Sequence, residues 1–246
     1  MSNVARSSVK RTITTIAVCA TFFGPAIEAH AQVGHPTGSS PYSPLRARRV
    51  VSLGVGYLAG SAGSAGVGPK DGPLAAARFN MNLSGALDID ANLSVANLDR
   101  GIINPNSAPA DSILETVKQT VTMLDAGIVL LLTGQKTWHR MVPYLGLSLG
   151  VAFGSSVPED TLSGFSFKTQ FQLAPSLGVR WYPTERLMFR VDFRDVLWRL
   201  SYPPSFFTRP DDDPLAPPVL NPNVQNDTEW THHPTLAITV GYVIGF

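Results

Sequence analysis

The chain has 246 residues, with 19 lysines and arginines against 18 aspartates and glutamates, for a net charge of +1. Charged residues make up 15% of it, well below the roughly 25% of a soluble domain. That balance offers no electrostatic case for nucleic acid, and a single cysteine, Cys19, excludes a disulfide framework and a cysteine-based metal site.

The N-terminus reads as an export signal. Arg6, Lys10 and Arg11 give a basic start, residues 12–27 supply a mainly apolar core, and Ala29-His30-Ala31 offers a small-x-small cleavage site. Residues 1–31 are therefore expected to be a cleaved signal peptide. Gly24-Pro25 breaks the apolar core, which is too short for an anchor helix. Lipidation at Cys19 is the minor alternative, because Val18 before it is bulkier than a lipobox residue. Residues 32–47, with Gly34, Pro36, Gly38, Pro41 and Pro44, read as a flexible lead-in.

Alternating segments follow, separated by gaps that are by turns long and short. The first strand, Arg49–Leu58, sets Val51, Leu53, Val55 and Tyr57 against Ser52, Gly54 and Gly56. A Gly/Ala/Ser loop then runs through Lys70-Asp71-Gly72-Pro73. Over 79–95 the odd positions are mainly apolar, from Phe79 to Val95, and the even ones include Asn80, Asp88, Asp90 and Asn92. A membrane strand needs only about 9–11 residues, so this stretch divides into a second and third strand with a turn near 85–88. The alternation nevertheless carries straight through. A second long loop covers 97–113.

The fourth strand, 116–133, changes parity near Asp125: Val117, Val121 and Met123 give way to Leu124, Ala126, Ile128, Leu130 and Leu132. A β-bulge is predicted there. After a short turn at Gly134-Gln135-Lys136, the fifth strand, 141–153, alternates Leu145, Leu147, Leu149, Val151 and Phe153 with Gly146, Ser148, Gly150 and Ala152. The third long loop contains Val157-Pro158-Glu159-Asp160. The sixth strand, 164–182, places Phe165, Phe167, Phe171, Leu173, Leu177, Val179 and Trp181 on one face. Lys168, Gln170, Gln172, Ser176 and Arg180 take the other. Pro183-Thr184-Glu185 is a tight turn. In the seventh strand, 186–200, Leu187, Phe189, Val191 and Phe193 oppose Arg190, Asp192 and Arg194. The longest loop, 201–229, is rich in Pro and Asp. The eighth strand alternates Leu236, Ile238, Val240, Tyr242 and Ile244 with smaller or polar residues and runs to Phe246.

Eight strands with alternating long and short junctions predict an all-β fold: an eight-stranded antiparallel up-and-down transmembrane β-barrel over 48–246. The apolar face must point to lipid. In the inverse, soluble arrangement the fifth strand would show water only Gly146, Ser148, Gly150 and Ala152, without a charge. Slipping the seventh strand by one residue would aim its arginines at lipid, at about 2–4 kcal/mol each in mid-membrane. Aromatic belts are expected from Trp138, Tyr144, Trp181 and Tyr182 near short turns, and from Tyr57, Trp198, Tyr202 and Trp230 near long loops.

Thr239, Gly241, Ile244 and Phe246 stand in polar-x-Gly-x-x-apolar-x-aromatic spacing, which resembles the C-terminal assembly signal of bacterial outer-membrane β-barrels. With the strand pattern and loop asymmetry, the chain from about Arg48 onward resembles the outer-membrane protein β-barrel domain family, of the small OmpA/OmpX type. The resemblance implies residence in the bacterial outer membrane, with periplasmic lead-in and turns and extracellular loops. It also implies contact with outer-membrane lipid and lipopolysaccharide, and insertion by the barrel-assembly machinery after escort by periplasmic chaperones. No peptidoglycan-binding domain of the OmpA kind is expected after the eighth strand.

Inside such a barrel, Asp125, Lys168, Arg180, Arg190, Asp192 and Arg194 are expected to form a lumen charge network, with Asp88 as a further partner. The need to pair buried charge favours a salt-bridged plug over a conduction path. His232 and His233, near Trp230 and Glu229, invite comparison with the Ser/His pair of lipid A-modifying barrels. No serine adjoins them in sequence, and Ser201 or Ser205 would have to be brought in by folding, so ordinary interfacial histidines are the better reading. Asp211-Asp212-Asp213 matches no calcium loop and reads as a solvated loop tip. Gly54, Gly56 and Ala59 precede no helix and make no phosphate site. Asn226-Asp227-Thr228 fits a glycosylation acceptor, which means little in a bacterial protein. No catalytic, cofactor-binding or metal-binding residue and no cofactor is assigned. The function expected is a structural or surface-interaction role; the alternatives are a lipid A-modifying enzyme and a narrow solute channel.

Overall fold

Bulky outward residues and small or ionic inward ones repeat on eight strands, and those strands close on themselves in the computed structural model, which describes residues 40–223 and 225–245. The expected signal peptide with Cys19, most of the lead-in, and Phe246 lie outside the described residues. The strands in chain order are β1 (Tyr42–Pro44), β2 (Arg49–Leu58), β3 (Gly72–Ser84), β4 (Leu87–Ile103), β5 (Ile113–Leu131), β6 (Lys136–Trp138), β7 (Met141–Gly154), β8 (Thr169–Trp181), β9 (Leu187–Ser201) and β10 (Thr228–Gly245). The long ones pair antiparallel with their chain neighbours, β10 pairs with β2, and the β7–β8 ladder completes the ring. Closure leaves no free edge along the shared length of these eight strands, so the ladder N–H and C=O groups there face partners inside the wall.

The outer surface is a continuous apolar belt. Leu53, Leu124, Leu147, Phe171, Val191 and Ile238, one from each of six strands, all point outward and stay exposed. The ionic alternation runs the other way, with Arg190 and Asp192 buried. This is the polarity of a barrel in hydrocarbon. β4, β5 and β10 are 17, 19 and 18 residues long, well past the roughly 9–11 that cross a bilayer, so their long-loop ends extend beyond the belt.

Several sequence expectations are corrected here. The turn between the second and third expected strands falls at Gly85, in the left-handed region at φ +52°, but β3 and β4 both run further than the alternation of 79–95 indicated. The β3–β4 ladder pairs Met81 with Ile89 and Asn82 with Asp88, and shifts register before Ser84 pairs with Leu87. Up to that shift odd positions pair with odd and even with even, so along the body of the hairpin the parity is not reset. That is why the pattern carried through it.

The predicted bulge at Asp125 is absent. The β5 ladders to β4 and β7 run unbroken through it, and the β4–β5 shift lies at Ile102/Ile103. Val121 and Met123 share the inward face with Asp125 and Val129. They are apolar because the lumen there is apolar, not because the strand has turned over. Residues 164–168 are not strand: Phe165 and Phe167 are buried, and Lys168 at φ +51° turns the chain into β8. In the expected lead-in, Tyr42–Pro44 forms β1 on β6, pairing Tyr42 with Trp138. Of the expected belt aromatics, Tyr57, Trp138, Trp181 and Trp230 are exposed on the outer face, whereas Tyr144, Tyr182, Trp198 and Tyr202 are buried.

Candidate functional site

The interior is built in three layers along the barrel axis. At the short-turn end Val50, Val129, Leu131, Val142, Met188 and Val243 pack with Tyr144 and Tyr182, and Leu45 and Ala47 of the lead-in close over them. At the long-loop end a larger apolar layer centres on Trp198. Phe167 meets it edge-on at 5.2 Å and the His233 ring lies 3.9 Å away. Phe165, Tyr202 and Phe206 continue that layer toward the loops.

Between them lies an ionic layer drawn from five strands. Inward Arg78 on β3, Asp88 and Asp90 on β4, Asp125 on β5, Arg180 on β8, and Arg190, Asp192 and Arg194 on β9 are all buried. Four arginines thus meet four aspartates, and each arginine has a carboxylate. Arg78 Nη2 donates to Asp192 at 3.0 Å, and Arg180 Nη1 to Asp88 at 2.5 Å. Arg190 Nη1 donates to Asp90 at 2.9 Å, and Arg194 Nη2 to Asp125 at 2.6 Å. Arg190 Nε donates to Tyr144 Oη at 2.6 Å, and the Arg180 and Arg190 guanidiniums lie 5.1 and 4.7 Å from the Tyr144 ring centre.

Neutral donors add to two of the carboxylates. Asn92 and Gln172 both donate to Asp125 Oδ2, and Asn82 donates to Asp88. An unpaired charge at this depth costs several kcal/mol, of order 3–5 when one partner of a buried pair is lost. Mutual compensation explains why a narrow lumen holds eight ions. Small residues opposite make room: Ser148 accepts from Arg194 at 2.6 Å. Two voids inside the layer, one beside Arg190 and Ser176 and one beside Arg78 and Thr235, are about 10 Å3 each. That is about the space of one water.

Of the sequence-expected network, Asp125, Arg180, Arg190, Asp192 and Arg194 come together in this layer. Lys168 does not: it lies exposed at the long-loop end, because its positive φ breaks the alternation that aimed it inward. Asp88 is present as Arg180's partner. Arg78 and Asp90 were missed as members. Asp90 is an even position in the alternating stretch 79–95, and Arg78 lies one residue before it. A further buried pair, Arg100 with Asp160, sits above the ionic layer, with Arg100 also donating to the carbonyls of Val67 and Phe165 at 3.0 Å each. Nothing in the spacing marks it, because Asp160 lies in an irregular loop.

The residues of the terminal motif divide by parity. Thr239 is fully buried in the lumen, and Gly241 also faces inward, where a Cβ would stand 2.8 Å from Val50 and Met188 atoms. Ile244 is exposed on the outer face. His232 faces outward and bonds Asp195 through Nδ1 at 2.7 Å. His233 points inward, its ring nitrogens within 3.2 Å of the carbonyls of Val196 and Pro69. Ser201 pairs with Thr228, four residues along β10 from His232, and Ser205 sits in the 3-10 turn Pro204–Phe207. Asp212 accepts from the Ser107 hydroxyl at 2.7 Å and the Ala108 N–H at 2.9 Å, while Asp213 accepts from Leu215 N–H at 3.0 Å. The acidic triplet thus ties loops together. Among the described residues no cluster of three or more His, Cys, Asp or Glu side chains could hold a metal ion.

No family model matches the sequence, and no curated protein matches it. Among solved structures the chain is similar to neisserial surface protein A, with a TM-score of 0.50 at 13% identity over 80% of this chain and 97% of that one. OprG from Pseudomonas aeruginosa gives 0.46 at 14% identity over 81% and 97%, and the N-terminal β-barrel domain of Pseudomonas aeruginosa OprF gives 0.42 at 12% over 80% and 98%. At such identities the likeness bears on fold alone. Joined to the closed ring and the apolar belt, it gives the chain the fold of the small eight-stranded outer-membrane β-barrels.

Proposed function

We propose that this barrel of the outer-membrane type is a closed structural and surface-display protein. It adds a rigid wall to the outer membrane, passes no solute along its axis and holds whatever specificity it has in its four long loops. The observation that carries the reading is the balanced layer of four arginines and four aspartates held between two apolar layers. A permeant ion would have to displace a paired charge and then cross Trp198 or Leu131, both buried. Outer-membrane lipid and lipopolysaccharide surround the belt, and periplasmic chaperones and the barrel-assembly machinery deliver the chain.

The test is a planar-bilayer recording on refolded protein, which should show no unitary conductance. Stepwise openings in the unmodified protein would sink the closed reading. The protein acts without catalysis in this account. His232 has a carboxylate neighbour, yet Ser201 stands four residues along the strand. Lipid A mass spectra should therefore be the same with the gene, without it, and with His232→Ala.

A further inference from the structure

The charge outside the lumen is divided unequally between the two ends of the barrel. At the short-turn end, among the described residues, Arg46, Arg48, Arg49, Lys136, Arg140 and Arg186 are all exposed, and the acidic residue among them is Glu185. The four long loops carry the opposite bias, with eight acidic residues and three basic ones. The ionic layer is balanced without any of these groups, so the rim carries a net positive charge of its own.

The rim also contains a groove. The lead-in from Ser43 to Ala47, the β6–β7 junction at Thr137 and Arg140, and the turn from Tyr182 to Glu185 enclose about 530 Å3. Its walls are fixed by main-chain bonds: β1 lies on β6, Leu45 N–H donates to Gln135 O at 2.8 Å, and Tyr182 N–H donates to Arg140 O at 2.9 Å. Arg46 and Arg140 line it with Ser43, Thr137 and Thr184, beside apolar Pro44 and Leu45. Among the described residues Arg46 pairs with Glu185 at 3.3 Å, with both side chains 70% exposed. A pair so exposed is weak and yields readily to an anion. Arg140 sits at φ +64° and gives one N–H to the Pro183 carbonyl, and a guanidinium has five N–H donors in all.

We propose that this groove binds the phosphodiester headgroup of an anionic glycerophospholipid from the leaflet at the short-turn end. Position favours a lipid over a soluble phosphate. Tyr42 and Trp138, paired across β1 and β6, and Trp181 beside Tyr182 are about half exposed on the outer face. Aromatic side chains of this kind mark the headgroup level. Acyl chains can lie on the belt while the phosphate reaches Arg46 and Arg140, and the surrounding cations add attraction for an anionic surface. The inference does not depend on whether the lumen conducts.

The experiment is native mass spectrometry of the folded full-length protein from detergent micelles, titrated with phosphatidylglycerol or with phosphatidylcholine. One phosphatidylglycerol should be retained about thirty-fold better than phosphatidylcholine, the order expected for two cations acting on one anionic headgroup. Arg46→Gln with Arg140→Gln should bring the two lipids to parity, the corresponding lysine variants should keep the preference, and Arg209→Gln in the longest loop should leave it unchanged. Retention of heat-modifiable mobility on gels shows that each variant is folded. Equal retention of both lipids by the unmodified protein overturns the proposal. So does a preference that survives loss of both arginines, and so does equal binding of inorganic phosphate.

Discussion

Gly150 stands directly across the β5–β7 ladder from Asp125, where an added Cβ would lie 2.6 Å from the Asp125 Cα and Cβ. The small inward face of β7 and the ionic inward face of β5 are therefore one feature. Glycine lets the two strands approach while the Asp125 carboxylate reaches Arg194, Asn92 and Gln172. Gly150→Val should destabilise the barrel by about 1–3 kcal/mol, the usual cost of overpacking. The check is a urea titration in detergent followed by gel mobility, with Gly134→Ala, in an open turn, as a reference whose effect is expected to come from its positive φ alone.

Breaking one ion pair in the lumen should cost more than removing both partners. Asp192→Asn leaves Arg78 and Arg190 without their shared carboxylate, and a cost of about 3–5 kcal/mol is expected. Arg78→Met combined with Asp192→Leu should cost less than the sum of the single changes. The double-mutant cycle by urea unfolding reads the coupling; strict additivity would mean that the pairs do not interact.

Lys168→Gln should leave stability within about 0.5 kcal/mol of the unmodified protein, as surface substitutions do. The residue is exposed at the long-loop end, so a loss as large as that of Asp192→Asn would return it to the lumen and refute the present arrangement of 164–168.

The loops should loosen at low pH. The Ser107 hydroxyl, then the Ala108 N–H, hold the Asp212 carboxyl below its ordinary value. A lowered carboxyl pKa gives coupling that is complete above the unfolded value, near 3.9, and is lost as pH falls through the lowered one. The protection factor of the Ala108 amide, taken against the intrinsic exchange rate at each pH, should therefore be high at neutral pH and fall in acid. Asp212→Asn should show the acid behaviour at every pH.

The strand count, the wall's polarity and most of the ionic layer were legible in the sequence, because a period of two fixes which side chains share a face. Arg190, Asp192 and Arg194 had no other place to point. What misled was the assumption that an inward residue must be polar. Val121 and Met123 face inward into an apolar layer, so their chemistry imitated a parity switch. Trp198, Tyr144 and Tyr182 were assigned to the belt by residue type, although Tyr144 and Trp198 share even parity with the inward residues of their own strands. The pair Arg100–Asp160 and the inward Phe165 and Phe167 depend on how an irregular loop folds back. No local spacing encodes that.

The direct test of the account is footprinting of the folded protein in vesicles with a photoactivated carbene probe dissolved in the hydrocarbon, read residue by residue by mass spectrometry. Label should collect on Leu147, Phe171, Val191 and Ile238 and be absent from Ser148, Gln172, Arg190 and Arg194. Label on the second group with the first left bare would contradict it.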